Sequence, residues 1–202
     1  AGATKTRAVL ADGTWTINGA KAFITNSGTE MTSLVTVTAK TGENEISSII
    51  VPSGTEGFVV EPAYDKLGWH ISDTHGLTFD DCRVPEENLP GTRGKGFAQF
   101  LAVLDEGRIA IAALAVGLAQ ACLDHSLRYA TERQTFGAPI GSRQSVAFSL
   151  SDLAVSVEAA RMLPYNARSL RDAGRPHDQV KQAAPIAKLY ATEAAVRATR
   201  TA

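Results

Sequence analysis

The stretch YATERQTFGAPIG, residues 129–141, ends one long helical pattern and leads into the next. Its two glycines and its proline, within residues 137–141, interrupt any helix there. Just before them, Arg133 offers a planar fork of donors that suits a phosphate or a carboxylate. Thr135 adds a hydroxyl, and Phe136 adds a flat face on which a ring can stack. The stretch therefore favours a phosphorylated ligand that carries a ring; the alternative is a helix C-terminus with its usual basic residue and a core phenylalanine.

The composition is that of an ordinary globular protein. The 202 residues are 44% hydrophobic and 20% charged, enough for one or two domains with a buried core. A net charge of −1, with scattered Lys and Arg, gives no support to nucleic-acid binding. Cys82, Cys122 and the scattered histidines lack metal-ligand spacing, so we expect neither a metal site nor a disulfide framework. The longest apolar run, residues 109–119, is too short to cross a bilayer.

The first part of the chain has the pattern of antiparallel β-structure. Asp12-Gly13 is a strong hairpin signal, and Asn18-Gly19 predicts a second turn. Several short strands with frequent turns suggest a barrel or a sandwich. The predicted strands are 7–11, 15–17, 21–25, 34–39, 46–51, 58–60 and 77–82.

After Pro85 the period changes to that of helices. Over residues 95–131, apolar residues recur in steps of three and four, which predicts a helix. The residues of this stripe are Phe97, Leu101, Leu104, Ile111, Ala115, Leu118 and Cys122. A second helix is predicted over 143–173, with Val146, Leu150, Leu153, Val157 and Met162 near one face. A third begins near Asp178, and Pro185 should kink or locally break it.

These patterns predict an α+β protein, with an antiparallel β-barrel or sandwich domain over residues 1–90 and an incomplete antiparallel helical bundle over 91–202. The chain starts without Met, and its last residues, 192–202, are helical in pattern without a stop signal. We therefore expect a segment of a longer protein, with a fourth helix missing from the bundle.

Two further stretches suggest a binding site. Phe23 and Thr25 share one face of a regular strand, where a ring and a hydroxyl could hold one edge of a flat heterocycle; an ordinary hydrophobic strand is the alternative. Arg108 falls on the apolar helix stripe, and Asp105 lies three residues earlier on the same face. Gly107 between them costs about 1 kcal/mol relative to Ala. This favours the close approach of a ligand, or else a salt bridge at a domain edge.

The motifs resemble those of the acyl-CoA dehydrogenases, flavoenzymes that oxidise acyl-CoA thioesters at the α and β carbons. The resemblance covers essentially the whole chain and its motifs occur in family order. The matching stretches are WTINGAKAFITN (15–26), KLGWHISDT (66–74), FDDCRVP (79–85), DEGR (105–108) and ERQTFG (132–137). It implies the middle β domain and most of the C-terminal helical domain, without the N-terminal helical domain and the final helices.

The resemblance also implies FAD as the cofactor and assigns residues to it. The strand against the flavin ring corresponds to Phe23, Ile24 and Thr25, although many relatives have Trp in place of Phe23. Contacts to the pyrophosphate and adenosine part, made from the neighbouring subunit, correspond to Arg133, Thr135, Phe136 and Gln144. Contacts near the bound acyl-CoA correspond to Asp105 and Arg108.

In this family a glutamate removes the α proton while the β hydrogen leaves as hydride to the flavin. The glutamate stands either at the position of Gly107, which cannot take a proton, or on the C-terminal segment. Glu106 is about 100° around the helix from Gly107, so its side chain should point away from the substrate. Asp105 has a shorter side chain and is expected to pair with Arg108, which would make it a poor base. We therefore predict no catalytic residue in this chain, a base beyond Ala202, and no activity of the 202 residues alone.

The predicted protein is an FAD-dependent acyl-CoA dehydrogenase of fatty acid metabolism. The resemblance implies electron-transferring flavoprotein as electron acceptor and a homodimer or homotetramer. It places the protein in the cytoplasm of a bacterium, or in the mitochondrial matrix if the source is eukaryotic; we expect the cytoplasm. The alternatives are an acyl-CoA oxidase or a nitroalkane-oxidase-like relative on the same scaffold, or a non-catalytic assembly module. The intact cluster from Arg133 to Phe136 argues against the last of these.

Overall fold

The computed structural model describes residues 3–202, apart from the side chain of His177. Residues up to Leu101 form one compact unit, and Ala102–Ala202 form a second. The first unit is a β-sheet and the second is helical, so the predicted α+β class is confirmed.

The first unit is built on one six-stranded sheet with the strand order β4-β3-β1-β2-β6-β5. All neighbouring strands are antiparallel except β1 and β3, which pair in parallel through Arg7 and Lys40. The sheet is therefore mixed, whereas the sequence predicted a wholly antiparallel one. The strands are β1 (Arg7–Ala11), β2 (Thr14–Thr25), β3 (Leu34–Lys40), β4 (Ile46–Pro52), β5 (Phe58–Ala63) and β6 (Thr74–Pro85).

The turn predicted at Asn18-Gly19 is wrong, because β2 runs through both residues. Its register against β6 shifts here, which makes the site a β-bulge. The Asn18 amide donates to the Asp81 carboxylate over 2.9 Å and accepts from the Asp81 N–H over 2.8 Å. Gly19 has φ of +137°, and a Cβ there would lie 2.8 Å from Thr6 Cα. Glycine is required because the two backbones approach closely, not because the chain reverses.

The sheet buries an apolar cluster in which Trp15, Ile17 and Ile49 are almost wholly inaccessible. Burying one such side chain contributes about 1.5–3 kcal/mol. The Trp15 indole N–H donates to the Glu86 carbonyl over 3.3 Å, so its polar edge is satisfied. This cluster holds β2 and β6 together on either side of the bulge.

The second unit contains the long helices α1 (Gly96–Glu132), α2 (Gln144–Asp172) and α3 (His177–Thr201), of which α1 begins within the first unit. Pro185 lies within α3 without ending it, and Pro164 is likewise accommodated inside α2. The buried cluster of this unit is rich in alanine, which lets helices pack closely. Its members are Ala112, Ala115, Val116, Ala119, Leu123, Leu153, Val157, Ala160, Ala167, Ala187, Ala191, Ala194, Ala195 and Ala198.

The helical period of α1 was predicted, and its buried face only in part. Ala115 of the predicted stripe is buried in the bundle and Cys122 packs against the same cluster, beside Ala112 and Val116, which the stripe did not include. Leu104, Ile111 and Leu118 of the stripe are 38%, 45% and 44% exposed. Apolar residues occur around much of α1, so spacing alone could not select the face that this unit buries.

Candidate functional site

A short hairpin follows α1 and presents the residues predicted to bind the cofactor. Strands β7 (Gln134–Thr135) and β8 (Ala138–Pro139) pair antiparallel around Phe136 and Gly137. Both turn residues have positive φ, 53° and 79°, as a type I′ turn requires. A phenylalanine in this region is strained by about 1–2 kcal/mol. Its ring is 98% exposed at the tip of the hairpin, so the strain presents an aromatic surface to the outside.

Arg143, which sequence reasoning did not single out, holds this hairpin in shape. Its guanidinium donates to the Thr135 carbonyl over 2.7 Å and to the Thr135 Oγ1 from two nitrogens, over 2.9 and 3.2 Å. Its central carbon lies 5.1 Å from the centre of the Phe136 ring, within the range of a cation–π contact. The contact depends on the hairpin folding back onto the start of α2, so no local sequence pattern indicates it.

Arg133 is exposed at the base of the hairpin, and its backbone is fixed on both sides. Its N–H donates to the Tyr129 carbonyl over 2.8 Å, and its carbonyl accepts from the Ile140 N–H over 2.8 Å. Within residues 3–202, its guanidinium has no carboxylate within 4.0 Å. The exposed guanidinium of Arg133, on a backbone held by hydrogen bonds, is therefore available to bind an external anion. Gln144, also predicted to contact the cofactor, is the exposed first residue of α2.

The strand predicted to face a flat heterocycle is irregular. β2 shifts register against β6 between Lys21 and Ile24, and Phe23 in this bulge has φ of +58°. The simple alternation used to place Phe23 and Thr25 on one face therefore does not describe the backbone here. Both side chains are nevertheless exposed, while Ile24 between them packs against the core. The Phe23 ring is 74% exposed and packs against Tyr64, with ring centres 5.0 Å apart and planes 33° apart.

An ion pair supports the end of this strand. His75 Nδ1 donates to the Glu61 carbonyl over 2.6 Å, and its Nε2 donates to Asp73 Oδ1 over 2.5 Å, which together raise the pKa of His75. The Gly28 N–H donates to Asp73 Oδ2 over 2.8 Å and, with His75, lowers the pKa of Asp73. A Cβ at Gly28 would lie 2.2 Å from the His75 ring. The segment after Thr25 can pack here only because residue 28 is glycine.

The pairing predicted between Asp105 and Arg108 is confirmed. Asp105 is buried, and its carboxylate accepts a hydrogen bond from Arg108 one turn later. Glu106 forms a separate cluster with two arginines of α2, Arg171 and, at 3.9 Å, Arg168. Each of the two carboxylates therefore has its own cationic partner inside the helical unit.

Gly107 between them faces open space. In the described part of the chain, a Cβ built on Gly107 meets no atom within 4 Å. A cavity of about 300 Å³ lies beside Asp105 and is also lined by Ala102, Arg171, Arg175 and Val180. The same residues 3–202 hold no group of three or more His, Cys, Asp or Glu side chains placed to bind a metal ion. None of their helices has the length and apolar content needed to cross a bilayer.

A mixed sheet followed by long helices, with a cationic and aromatic hairpin between two of them, defines a class of α+β proteins suited to a large nucleotide cofactor. Within that class the chain belongs to the acyl-CoA dehydrogenase family. The model of the acyl-CoA dehydrogenase middle domain matches residues 1–82, and that of the acyl-CoA dehydrogenase C-terminal domain matches residues 94–202. The predicted family is therefore confirmed.

Individual relatives are similar over nearly the whole chain. A probable acyl-CoA dehydrogenase of Bacillus subtilis, YngJ, is 47% identical over 98% of this chain and 52% of its own. The solved structure of butyryl-CoA dehydrogenase from Megasphaera elsdenii has a TM-score of 0.91 at 39% identity, over 97% of this chain and 51% of that one. Glutaryl-CoA dehydrogenase from Mycobacterium smegmatis in complex with FADH2 has a TM-score of 0.88 at 26% identity, over 98% and 50%. The chain thus spans about half the length of the relatives it matches.

Proposed function

We propose that the intact protein is an FAD-dependent acyl-CoA dehydrogenase that introduces a double bond between the α and β carbons of an acyl-CoA thioester. Membership of the family supports the reaction class. The observation that carries the cofactor assignment is the hairpin of residues 134–139, which combines an exposed ring at Phe136, a hydroxyl at Thr135 and the available guanidinium of Arg133. These groups match the ring, the phosphates and the charge of an adenine dinucleotide.

Two groups of residues would hold FAD. The exposed stretch of β2, Phe23 to Thr25, would line the flavin ring. The pyrophosphate and adenosine part would be held by Arg133, Thr135, Phe136 and Gln144 of a neighbouring subunit. When bound, FAD supplies the acceptor for the hydride; this chain supplies orientation, charge and a dry surface.

Asp105 and Arg108 are proposed to lie near the acyl-CoA. The hydrogen bond from Arg108 to the Asp105 carboxylate fixes the position of the guanidinium. The remaining N–H donors of Arg108 can bind an anionic or carbonyl group of the substrate. The butyryl-CoA dehydrogenase of M. elsdenii is a close structural relative, which supports a short acyl chain.

The base that removes the α proton is proposed to be a glutamate outside residues 3–202. The ion pairs described above support this proposal. Asp105 pairs with Arg108, and Glu106 pairs with Arg171 and Arg168. Gly107 has no side chain. On the same grounds the 202 residues alone would not turn over an acyl-CoA.

The further organisation of the protein is also proposed. We propose a β domain over residues 1–90 and a helical domain over 91–202; the interval between the ranges matched by the two family models supports a boundary in this region, and the compact units divide after Leu101. We propose a homodimer or homotetramer that donates electrons to electron-transferring flavoprotein, in fatty acid metabolism in the cytoplasm. Relatives in a bacterium such as B. subtilis support this location.

The cofactor assignment is tested by changing Arg133→Ala in the intact protein. A charge-assisted contact to pyrophosphate contributes roughly 1.5–3 kcal/mol, so the dissociation constant for FAD should rise at least tenfold. Quenching of flavin fluorescence on binding to apoprotein gives this constant. Arg128→Ala removes an exposed arginine near the end of α1, outside the hairpin, and should leave the constant within twofold. Unchanged FAD affinity in Arg133→Ala would remove the cofactor assignment.

A further inference from the structure

The contacts of Arg143 fix the direction in which Thr135 can donate a hydrogen bond. Two guanidinium nitrogens donate to Thr135 Oγ1, over 2.9 and 3.2 Å. A guanidinium has no acceptor atom, so the hydroxyl oxygen must be the acceptor in both contacts. The hydroxyl proton then remains available to a ligand and is directed away from the arginine. An anion such as a phosphate is the ligand that such a proton suits.

The same guanidinium backs the aromatic ring at the tip of the hairpin. It lies 5.1 Å from the centre of the Phe136 ring, which is 98% exposed. A cation near one face of a ring is attracted to it, so the contact favours this position of the ring. The opposite face of Phe136 is left for a planar ligand. One side chain, Arg143, therefore orients both a donor and a stacking surface.

We propose that Arg143 is a positioning residue for the pyrophosphate and adenosine part of FAD, acting through Thr135 and Phe136 rather than by touching the cofactor. This inference rests on the proposed function, since it requires that the hairpin binds FAD. Arg133 and Arg143 then have different tasks. Arg133 presents its charge to the ligand. Arg143 instead donates its hydrogen bonds to Thr135 and positions Thr135 and Phe136, which contact the ligand.

Two other roles for Arg143 make different predictions. An arginine that binds the phosphate directly would make a contact of its own with the ligand, so adding Arg143→Lys to Thr135→Val would weaken FAD binding further. An arginine that only stabilises the fold would lower the melting temperature and affect every ligand alike. A positioning arginine acts through its planar fork, so lysine, which keeps the charge but loses the fork, cannot replace it.

The test measures the dissociation constants of the intact apoprotein for FAD and for FMN, which lacks the adenylate half, by flavin fluorescence. The variants are Arg143→Lys, Thr135→Val and the double variant. We expect each single change to weaken FAD at least fivefold and to change FMN less than twofold. The double variant should bind FAD within twofold of Thr135→Val alone. Arg197→Lys is the matched control, because Arg197 also lies over a ring, that of Tyr190, at 5.9 Å, outside the hairpin.

Several results would overturn the inference. They are unchanged FAD affinity in Arg143→Lys, equal losses for FAD and FMN, and additive effects in the double variant. If Arg143→Lys does not fold, Arg143→Gln is measured in its place; if neither folds, Arg143 is a folding residue and the inference is wrong. Failure of the wild-type protein to bind FAD at all would instead refute the proposed function, so the two failures are distinguishable.

Discussion

Two phenylalanines, Phe23 and Phe136, have left-handed backbone conformations and strongly exposed rings. Bulky residues avoid this conformation, and exposed aromatic rings lose the benefit of burial. Both unfavourable features coincide at the two positions proposed to face the rings of FAD. A bulge at Phe23 and a tight hairpin at Phe136 hold these two backbone conformations without a ligand.

At the same scale, the pair of His75 and Asp73 makes stability depend on pH. Because the pKa of His75 is raised, the stability that this residue contributes is fully present below the ordinary histidine pKa of 6.5. That stability is lost as the pH rises through the pKa of His75 in the folded protein. Because the pKa of Asp73 is lowered, the stability that this residue contributes is fully present above the ordinary aspartate pKa of 3.8. That stability is lost as the pH falls through the pKa of Asp73 in the folded protein. The pair is therefore most stabilising between these two ordinary values.

We predict that His75→Gln lowers the free energy of unfolding more at about pH 5.5 than at about pH 8.5. Urea unfolding of the intact protein at both values, followed by circular dichroism, measures the difference. His125→Gln, at an exposed position of α1, is the control for replacing a histidine outside this pair. Equal losses at both pH values for His75→Gln would show that the histidine packs without being charged.

At the scale of elements, the sequence predicted a β-rich first part followed by three long helices, but it divided β2 into two strands and did not predict β7 and β8. Asn18-Gly19 is a turn signal by local rules, and only the distant backbone of Thr6 makes it a bulge. Arg133, Thr135 and Phe136 could be singled out because they stand where a helical pattern stops. Arg143 could not, because its partners are brought to it by the hairpin, which is tertiary structure.

The ion pairs between α1 and α2 give a prediction at this scale. Glu106→Gln in the intact protein should lose the contacts to Arg171 and Arg168. These side chains are a third or more exposed, so the loss is at most about 1 kcal/mol, or about 2–4 °C in melting temperature. The turnover number should stay within threefold of wild type.

Glu158→Gln is the matched control, because Glu158 pairs with Arg161 within α2 alone. It should change neither turnover nor, by more than a degree or so, the melting temperature. A hundredfold loss of turnover in Glu106→Gln, without a comparable loss in the control, would identify Glu106 as the base and contradict the proposed position of that residue.

At the scale of the whole molecule, each long helix retains an exposed apolar stripe. Exposed apolar area of this extent is characteristic of interaction surfaces. The stripes consist of Leu104, Ile111 and Leu118 on α1, Phe148, Val155 and Met162 on α2, and Ile186, Leu189 and Val196 on α3. They are available to the rest of the intact protein and to a second copy, and the proposed homodimer or homotetramer would cover part of them.

We predict that the intact protein is a dimer or a dimer of dimers, and that Val155→Glu shifts it to a smaller species because it places a charge on the stripe of α2. Light scattering at several concentrations measures the mass. Ser151→Glu, an exposed polar position one turn earlier, should leave it unchanged. A monomer that retains one FAD per chain would contradict both the association and the sharing of Arg133 between subunits.

The inward face of α3 is made of alanines, and this restricts how the helix can evolve. Its buried positions include Ala184, Ala187, Ala191, Ala194, Ala195 and Ala198. Shortening one of them to glycine removes a single methyl and costs about 1 kcal/mol. Enlarging one pushes neighbouring groups apart and costs about 1–3 kcal/mol. Both kinds of change are therefore unfavourable, so these positions accept fewer substitutions than the outer surfaces of the helices.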